Sequence, residues 1–275
     1  MSSHSLALVC SLVSACAFHL EPVGTVDDAG PTVDGMAQDV LDAAMCAAPI
    51  VIDDSFDNTN LATTGPLSIG GGFTAVTNVN TGNGTSAELT GAGLEIRTSN
   101  NAPPLAPAHG AASNTSFVFN PAGMTVRLEV IAADTPIWNG IALGLQSNKG
   151  NIDAAGGSLV LRIRGQGTNA LNVDIGDEAT YGTPLSLQPY DEAELADGFI
   201  VTWSLGASSW SYVVEGLRNG GASLSDAGSY RAGETPADVL DATVHLGIHI
   251  QGNPNDSNQR ILRVKRVTLW NGICP

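Results

Sequence analysis

From Ile50 onward, buried-type and wetter residues alternate along the chain with a period of two. Val126, Leu128 and Val130 alternate with Arg127 and Glu129, and Leu159, Leu161 and Ile163 with Val160, Arg162 and Arg164. Phe199, Val201, Trp203 and Leu205 interleave with Ile200, Thr202 and Ser204; Val244, Leu246, Ile248 and Ile250 interleave with His245, Gly247, His249 and Gln251. Successive strand side chains point to opposite faces, so each run predicts a strand with one buried face. Further runs over 50–56, 72–77, 93–98, 115–119, 137–146, 170–175, 208–215 and 261–270 extend the set. Gly and Asn clusters, among them 70–72, 80–84, 148–151 and 253–258, supply the turns. Only 188–197 and 234–242 look helical, and both are short. Many strands without helical crossovers predict an all-β fold, an antiparallel sandwich or barrel forming one domain.

Composition narrows the setting. The chain has 275 residues, 14% of them charged, with 32 Gly, which suits a β-rich secreted domain joined by tight turns. Its 27 acids outweigh 11 Lys and Arg, for a net charge of −16. Phosphate binding needs a basic field, so nucleic acid is excluded as an expected partner. Residues 17–45 carry Glu21, Asp27, Asp28, Asp34, Asp39 and Asp42 with no Lys or Arg, and also Pro22 and Pro31. Such a stretch cannot bury a core and repels itself, so residues 16–45 read as a disordered acidic linker. The folded domain is expected over 46–275.

Residues 6–16 form a short apolar run ending in Val13-Ser14-Ala15-Cys16. This resembles a bacterial lipobox, in which the cysteine is lipidated and becomes the first mature residue. The n-region carries no Lys or Arg, a departure from the usual signal. The resemblance implies a signal peptide over 1–15, lipidation at Cys16 and an extracytoplasmic protein. Ala17 after the cysteine points by the same resemblance to the outer membrane or cell surface of a bacterium. The acyl chain would be the only membrane contact.

Cys10 lies in the signal and Cys16 at the lipidation site, which leaves Cys46 and Cys274 at the two ends of the domain. In an oxidising compartment these are expected to pair, which requires the first and last strands to be neighbours. The alternative is two free thiols.

The domain opens with Ile52-Asp53-Asp54-Ser55-Phe56-Asp57 and closes with Arg263-Val264-Lys265-Arg266-Val267-Thr268-Leu269-Trp270. An Asp-rich first strand carrying a Phe, and a last strand that returns beside it, resemble concanavalin A-like (laminin G-like) jelly rolls. The resemblance spans about residues 48–274. It implies a two-sheet antiparallel jelly-roll sandwich whose chain ends lie together. It also implies a curved sheet whose concave face holds a glycan. The expected ligand-binding residues are then His245, His249 and Gln251, with Gly247 leaving the floor open, and Arg162 and Arg164; Arg127 and Glu129 are candidates to join them. His245 and His249 stand roughly 13 Å apart along one strand, too far to share one metal but suited to lining a groove. Trp138, beside Asn139 and Gly140, is a candidate rim platform for a sugar ring, as is Trp210 after Ser208-Ser209; Trp203 and Trp270 read as core.

Catalytic patterns are weak. Jelly-roll glucanases carry Glu-x-Asp-x-x-Glu on one strand, and no strand here has that spacing; Asp191-Glu192-Ala193-Glu194 reads as a solvated loop. His249-Ile250-Gln251 with Arg162 and Arg164 resembles polysaccharide lyase chemistry only in part, because the arginine-glutamate and tyrosine-rich motifs are missing. Zinc spacing, a phosphate-cradling loop and a nucleophile elbow are absent. Asp53 and Asp57 are hard oxygen donors and the candidate ligands of a structural Ca²⁺; no other cofactor is implied. The sequence thus points to a lipid-anchored surface module that binds carbohydrate without catalysis. A lyase-like enzyme and a protein-binding adhesion module are the alternatives.

Overall fold

The computed structural model describes residues 46–56, 68–70, 72–76, 87–97, 108–133, 141–147, 157–165, 170–176, 186–189, 198–216, 223–251 and 261–274. The expected signal segment, Cys16 and the expected acidic linker lie outside these residues. Strands β1 (Ile50–Asp54), β2 (Ser68–Gly70), β3 (Phe73–Val76), β4 (Ala87–Thr90) and β5 (Gly93–Arg97) come first. They are followed by β6 (Ala108–Ser113), β7 (Met124–Ala133), β8 (Ile141–Gln146), β9 (Ser158–Gly165), β10 (Ala170–Gly176) and β11 (Ser186–Pro189). The chain continues through β12 (Phe199–Leu205), β13 (Ser209–Gly216), β14 (Leu224–Ser229) and a one-turn helix α1 (Pro236–Val239). It ends in β15 (His245–Gln251) and β16 (Ile261–Trp270).

These strands form two antiparallel sheets. The first runs β14-β13-β12-β7-β16-β5-β4, with β1 also paired to β16; the second runs β11-β10-β9-β8-β15-β6-β3-β2. Strand β16 is long enough to hold β5 along Ile261–Val264 and β1 along Val267–Trp270. Side chains of alternate positions fill the space between the sheets. Val126, Leu128, Val201 and Trp203 from the first meet Leu143, Leu161, Leu246 and Ile248 from the second, all 0–1% exposed. Burying so many apolar side chains is the main stabilising term of the sandwich.

The two chain ends meet as expected. Cys46 and Cys274 are bridged, with Cα atoms 5.2 Å apart across 228 residues of sequence. The tail after β16 is also pinned to β7: the Cys274 N–H donates to Thr125 Oγ1 at 2.9 Å, and that hydroxyl donates to the Gly272 carbonyl at 2.9 Å. At the other end of β1, Asp54 ties the sheets together. Its carboxylate accepts the N–H groups of Phe56 (2.9 Å) and Gly72 (2.8 Å). The first bond stabilises Phe56 in the left-handed region, φ 48°, and the Phe56 ring packs against Phe73 at 5.2 Å.

Three expectations change. Residues 115–119 do not form a strand; Phe117 makes an isolated bridge to Val244. Trp210, expected at an exposed turn, is 5% exposed and stacked on Tyr212, because β13 points Trp210, Tyr212 and Val214 inward together. Trp270, read as core, lies outside the core cluster, on the outer face of the first sheet. The β16 register shifts between Val264 and Arg266, and one extra residue there swaps the faces that follow. Leu262 and Val264 therefore point inward before the shift, and Val267 and Leu269 after it.

Candidate functional site

The outer face of the second sheet carries most of the predicted ligand residues. Arg162 on β9 and His249 on β15 both stand opposite Ala142 on β8, so the three form one row across neighbouring strands. The row continues to Asp174 on β10 and Gly110 on β6. Strand spacing puts Arg162 and His249 about 10 Å apart at the backbone. His245 sits four residue pairs further along, opposite Gln146. The sheet thus brings Arg162, His245 and His249 to one face, as the alternation predicts.

It does not leave them open to solvent. His249 is 0% and Arg162 5% exposed, as are Gln146 (2%) and Ala142 (3%). The imidazole lies down along the sheet. A Cβ on Gly110 would meet its Nδ1 at 2.6 Å, and one on Gly247 would meet its Nε2 at 2.7 Å, so two glycines make the space it fills. Nε2 is 2.9 Å from the Gln146 amide oxygen, which can only accept, so this nitrogen carries the proton. His245 is half-buried, with Nδ1 2.7 Å from the Ser113 carbonyl, to which it donates. The expectation of an accessible groove at Arg162 and His249 is therefore corrected: both belong to a packed floor. Arg164 and Gln251 lie at or next to the ends of the same strands, with side chains outside the described residues, and Trp138 lies wholly outside them.

Arg127 and Glu129 belong to the other layer. Both lie on the outer face of the first sheet, because β7 sits between β12 and β16. Arg127 Nη1 donates to Glu129 Oε1 at 2.9 Å, and Lys265 lies 3.7 Å from the other Glu129 oxygen. Nearby, Glu95 is 3% exposed and paired to Arg263 and Arg97. Burial pushes its carboxyl up, but the hydrogen bonds from Arg263 and Arg97 outweigh this and leave it ionised below its usual range.

An open cleft of about 400 Å³ lies on this face. Its floor follows the register: Trp270, Thr125, Ser204 and Ser211 form one row across β16, β7, β12 and β13. Arg127, Thr202 and Val213 belong to the next row. The Cys46–Cys274 bridge and Glu215 stand at its margins. Sequence reasoning missed this site. Its signal was the run of hydroxyl residues on the polar phases of β7, β12 and β13, which becomes a surface only once the strand order is known.

Both carboxylate oxygens of Asp53, an expected Ca²⁺ ligand, are engaged by side chains of β16. Its two oxygens accept Arg266 Nε and Nη2, each at 2.9 Å, and the first also faces the Thr268 hydroxyl at 3.2 Å. The hydrogen bond from Arg266 holds this carboxyl below its usual range against the opposing effect of burial. Asp53 is thus an ion-pair partner in this structure; Asp57, the other expected Ca²⁺ ligand, lies outside the described residues. Among the described residues no group of three or more His, Cys, Asp or Glu is placed to hold a metal.

No family profile matches the chain, and no curated protein sequence does. Solved structures do. Peanut lectin, in a complex with a nine-residue peptide, aligns with a TM-score of 0.54 at 11% identity, over 81% of this chain and 97% of that one. The lectin UEA-II complexed with galactose aligns with a TM-score of 0.54 at 10% identity, over 82% and 100%. The fold is that of the legume lectins. A third lectin, from Bauhinia forficata in complex with N-acetylgalactosamine, gives a TM-score of 0.53 at 7% identity, over 80% and 99%. The lectin fold here is the concanavalin A-like jelly roll, and the likeness is one of architecture.

Proposed function

We propose that this chain is a lipid-anchored, extracytoplasmic module that binds carbohydrate without catalysis. The observation that carries the reading is the lectin sandwich itself, matched over about four-fifths of the chain by a lectin complexed with galactose and another with N-acetylgalactosamine. The burial of His249 adds support for a non-catalytic role. Its Nε2 proton is committed to Gln146, away from any position where it could move a substrate proton. In this reading Arg162 and His249 shape the floor of the second sheet, and Arg164, Gln251 and Trp138 are the candidate contacts. The lipobox-like Val13-Ser14-Ala15-Cys16 supports an anchor at Cys16, and no helix among the described residues is long and apolar enough to cross a membrane.

A glycan array probed with the full chain carrying Cys16→Ser, with and without Ca²⁺, tests the binding. At least one glycan class should retain the protein, and free sugar should displace it. Retention by none would overturn the reading. Metabolic labelling with a fatty acid tests the anchor: label should enter the wild-type chain and be lost in Cys16→Ser.

A further inference from the structure

The cleft on the first sheet is built for more than structure, and we propose that it is a second saccharide site, taking one or two units of a neutral sugar. This rests on the carbohydrate reading above but places a ligand on the layer opposite His249. A cleft of about 400 Å³ lies within the range of small-ligand sites. Three features set the ligand class.

The floor is made of hydroxyls. Thr125, Thr202, Ser204 and Ser211 come from three adjacent strands; Thr202 and Ser211 are half-buried and reach the trough, while Thr125 and Ser204 are buried beneath them. Thr125 is fixed by its bonds to Gly272 and Cys274 and lies 3.2 Å from Ser204 Oγ. Among the described residues nothing bonds the Thr202 and Ser211 hydroxyls. The Thr202 and Ser211 hydroxyls can both donate and accept, and on a rigid sheet they match the donors and acceptors of a polyol.

Charge argues for neutrality. Arg127 is the cationic group in the lining; Glu129, 2.9 Å from it and 3.7 Å from Lys265, and Glu215 at the margin balance these two cations, so little net field remains for an anion. Glu215 at the margin is exposed and repels one. Carboxylate and guanidinium remain able to bond sugar hydroxyls at close range.

The third feature is an apolar wall. Trp270 lines the cleft at the end of the hydroxyl row and is 8% exposed, with the disulfide beside it. Sugar rings present apolar C–H faces, and an indole next to hydroxyls serves both sides of such a ring. The bulge in β16 puts Trp270 on this face rather than in the core. The tail after it, pinned through Thr125 and the bridge to Cys46, rigidifies the wall before any ligand arrives.

The test is a titration of the ¹⁵N-labelled full chain carrying Cys16→Ser with galactose, N-acetylgalactosamine and glucose at millimolar concentrations. The indole resonances of Trp138, Trp203, Trp210 and Trp270 are assigned by single Trp→Phe variants. The Trp270 resonance should move saturably with at least one sugar. Ser211→Phe, which fills the cleft from the outer face of β13, should weaken that binding about tenfold or more. Its thermal midpoint should stay near wild type, and Glu215→Gln should weaken binding without adding bulk. Saturable movement of Trp138 alone, with Trp270 still, would overturn the cleft site and leave the carbohydrate reading standing. No saturable movement of any indole, with no glycan retained on the array, would overturn both. A Trp270 resonance that follows protein concentration but not sugar would also overturn the site, by marking this face as a contact between copies of the chain.

Discussion

Removing the bridge between Cys46 and Cys274 is the perturbation whose size the structure predicts most directly. The bond closes a loop of 228 residues, and in the chain-entropy model such a closure restricts the unfolded chain by about 5 kcal/mol. In the folded state the ends stay together without it. Strands β1 and β16 pair from Ile50↔Trp270 to Asp54↔Val267, and the Cys274 N–H remains on Thr125. The loss should therefore come mainly from the freed denatured chain. Urea unfolding of the Cys46→Ala/Cys274→Ala variant, followed through the fluorescence of buried Trp203, should show about 3–5 kcal/mol less stability. Its m-value should be larger, because an uncross-linked denatured chain exposes more surface. Reduced wild-type protein should match the variant. A loss under about 1 kcal/mol with unchanged m would refute the reasoning, since the ends would then be constrained by something other than the bond.

Other consequences are equally open to measurement. Thr125→Val removes the acceptor for the Cys274 N–H and the donor to the Gly272 carbonyl, and should cost about 2 kcal/mol in urea unfolding; wild-type stability would contradict the pinned tail. Gly110→Ala should destabilise more than Gly247→Ala. A Cβ at Gly110 meets the Ile248 carbonyl as well as the His249 ring, whereas at Gly247 it meets the movable side chains of Gln146 and His249. Equal thermal midpoints for the two variants would count against the flat imidazole. The hydrogen bonds from Arg266 lower the Asp53 carboxyl in the folded state. Its contribution should be whole above the unfolded carboxylate value, about pH 4, and be lost as pH falls through the lowered folded value. Asp53→Asn should flatten that part of the stability–pH profile, and an unchanged acid limb would refute the pairing.

Much of the fold was legible because alternation reports faces directly. Val126, Leu128 and Val130 against Arg127 and Glu129 gave the two faces of β7, and the same holds for β12 and β15. Strands β6 (AHGAAS) and β14 (LSDAGS) were not legible: their small residues carry no apolar contrast, and neighbouring strands supply the core around them. The face of Trp270 was hidden in a phase slip. Leu262 and Val264 belong to one phase, Val267 and Leu269 to the other, and a reading that follows one phase through Lys265-Arg266 inverts everything after it. At the candidate site, alternation correctly placed Arg162 and His249 on a shared face. Their burial depends on contacts distant in sequence and on Gly110 and Gly247, which no local period encodes. The hydroxyl cleft depends in the same way on the order β13-β12-β7-β16, in which sequence neighbours are separated in space.

If this sandwich holds a sugar and leaves it unchanged, one sample can show both. Calorimetric titration of the full chain carrying Cys16→Ser with the glycan best retained on the array, followed by mass analysis of that glycan after prolonged incubation, tests both halves at once. Saturable heat at a fixed stoichiometry and a glycan recovered intact are the expected results. Absence of saturable heat, or a glycan cleaved in proportion to the protein present, would contradict the proposed reading.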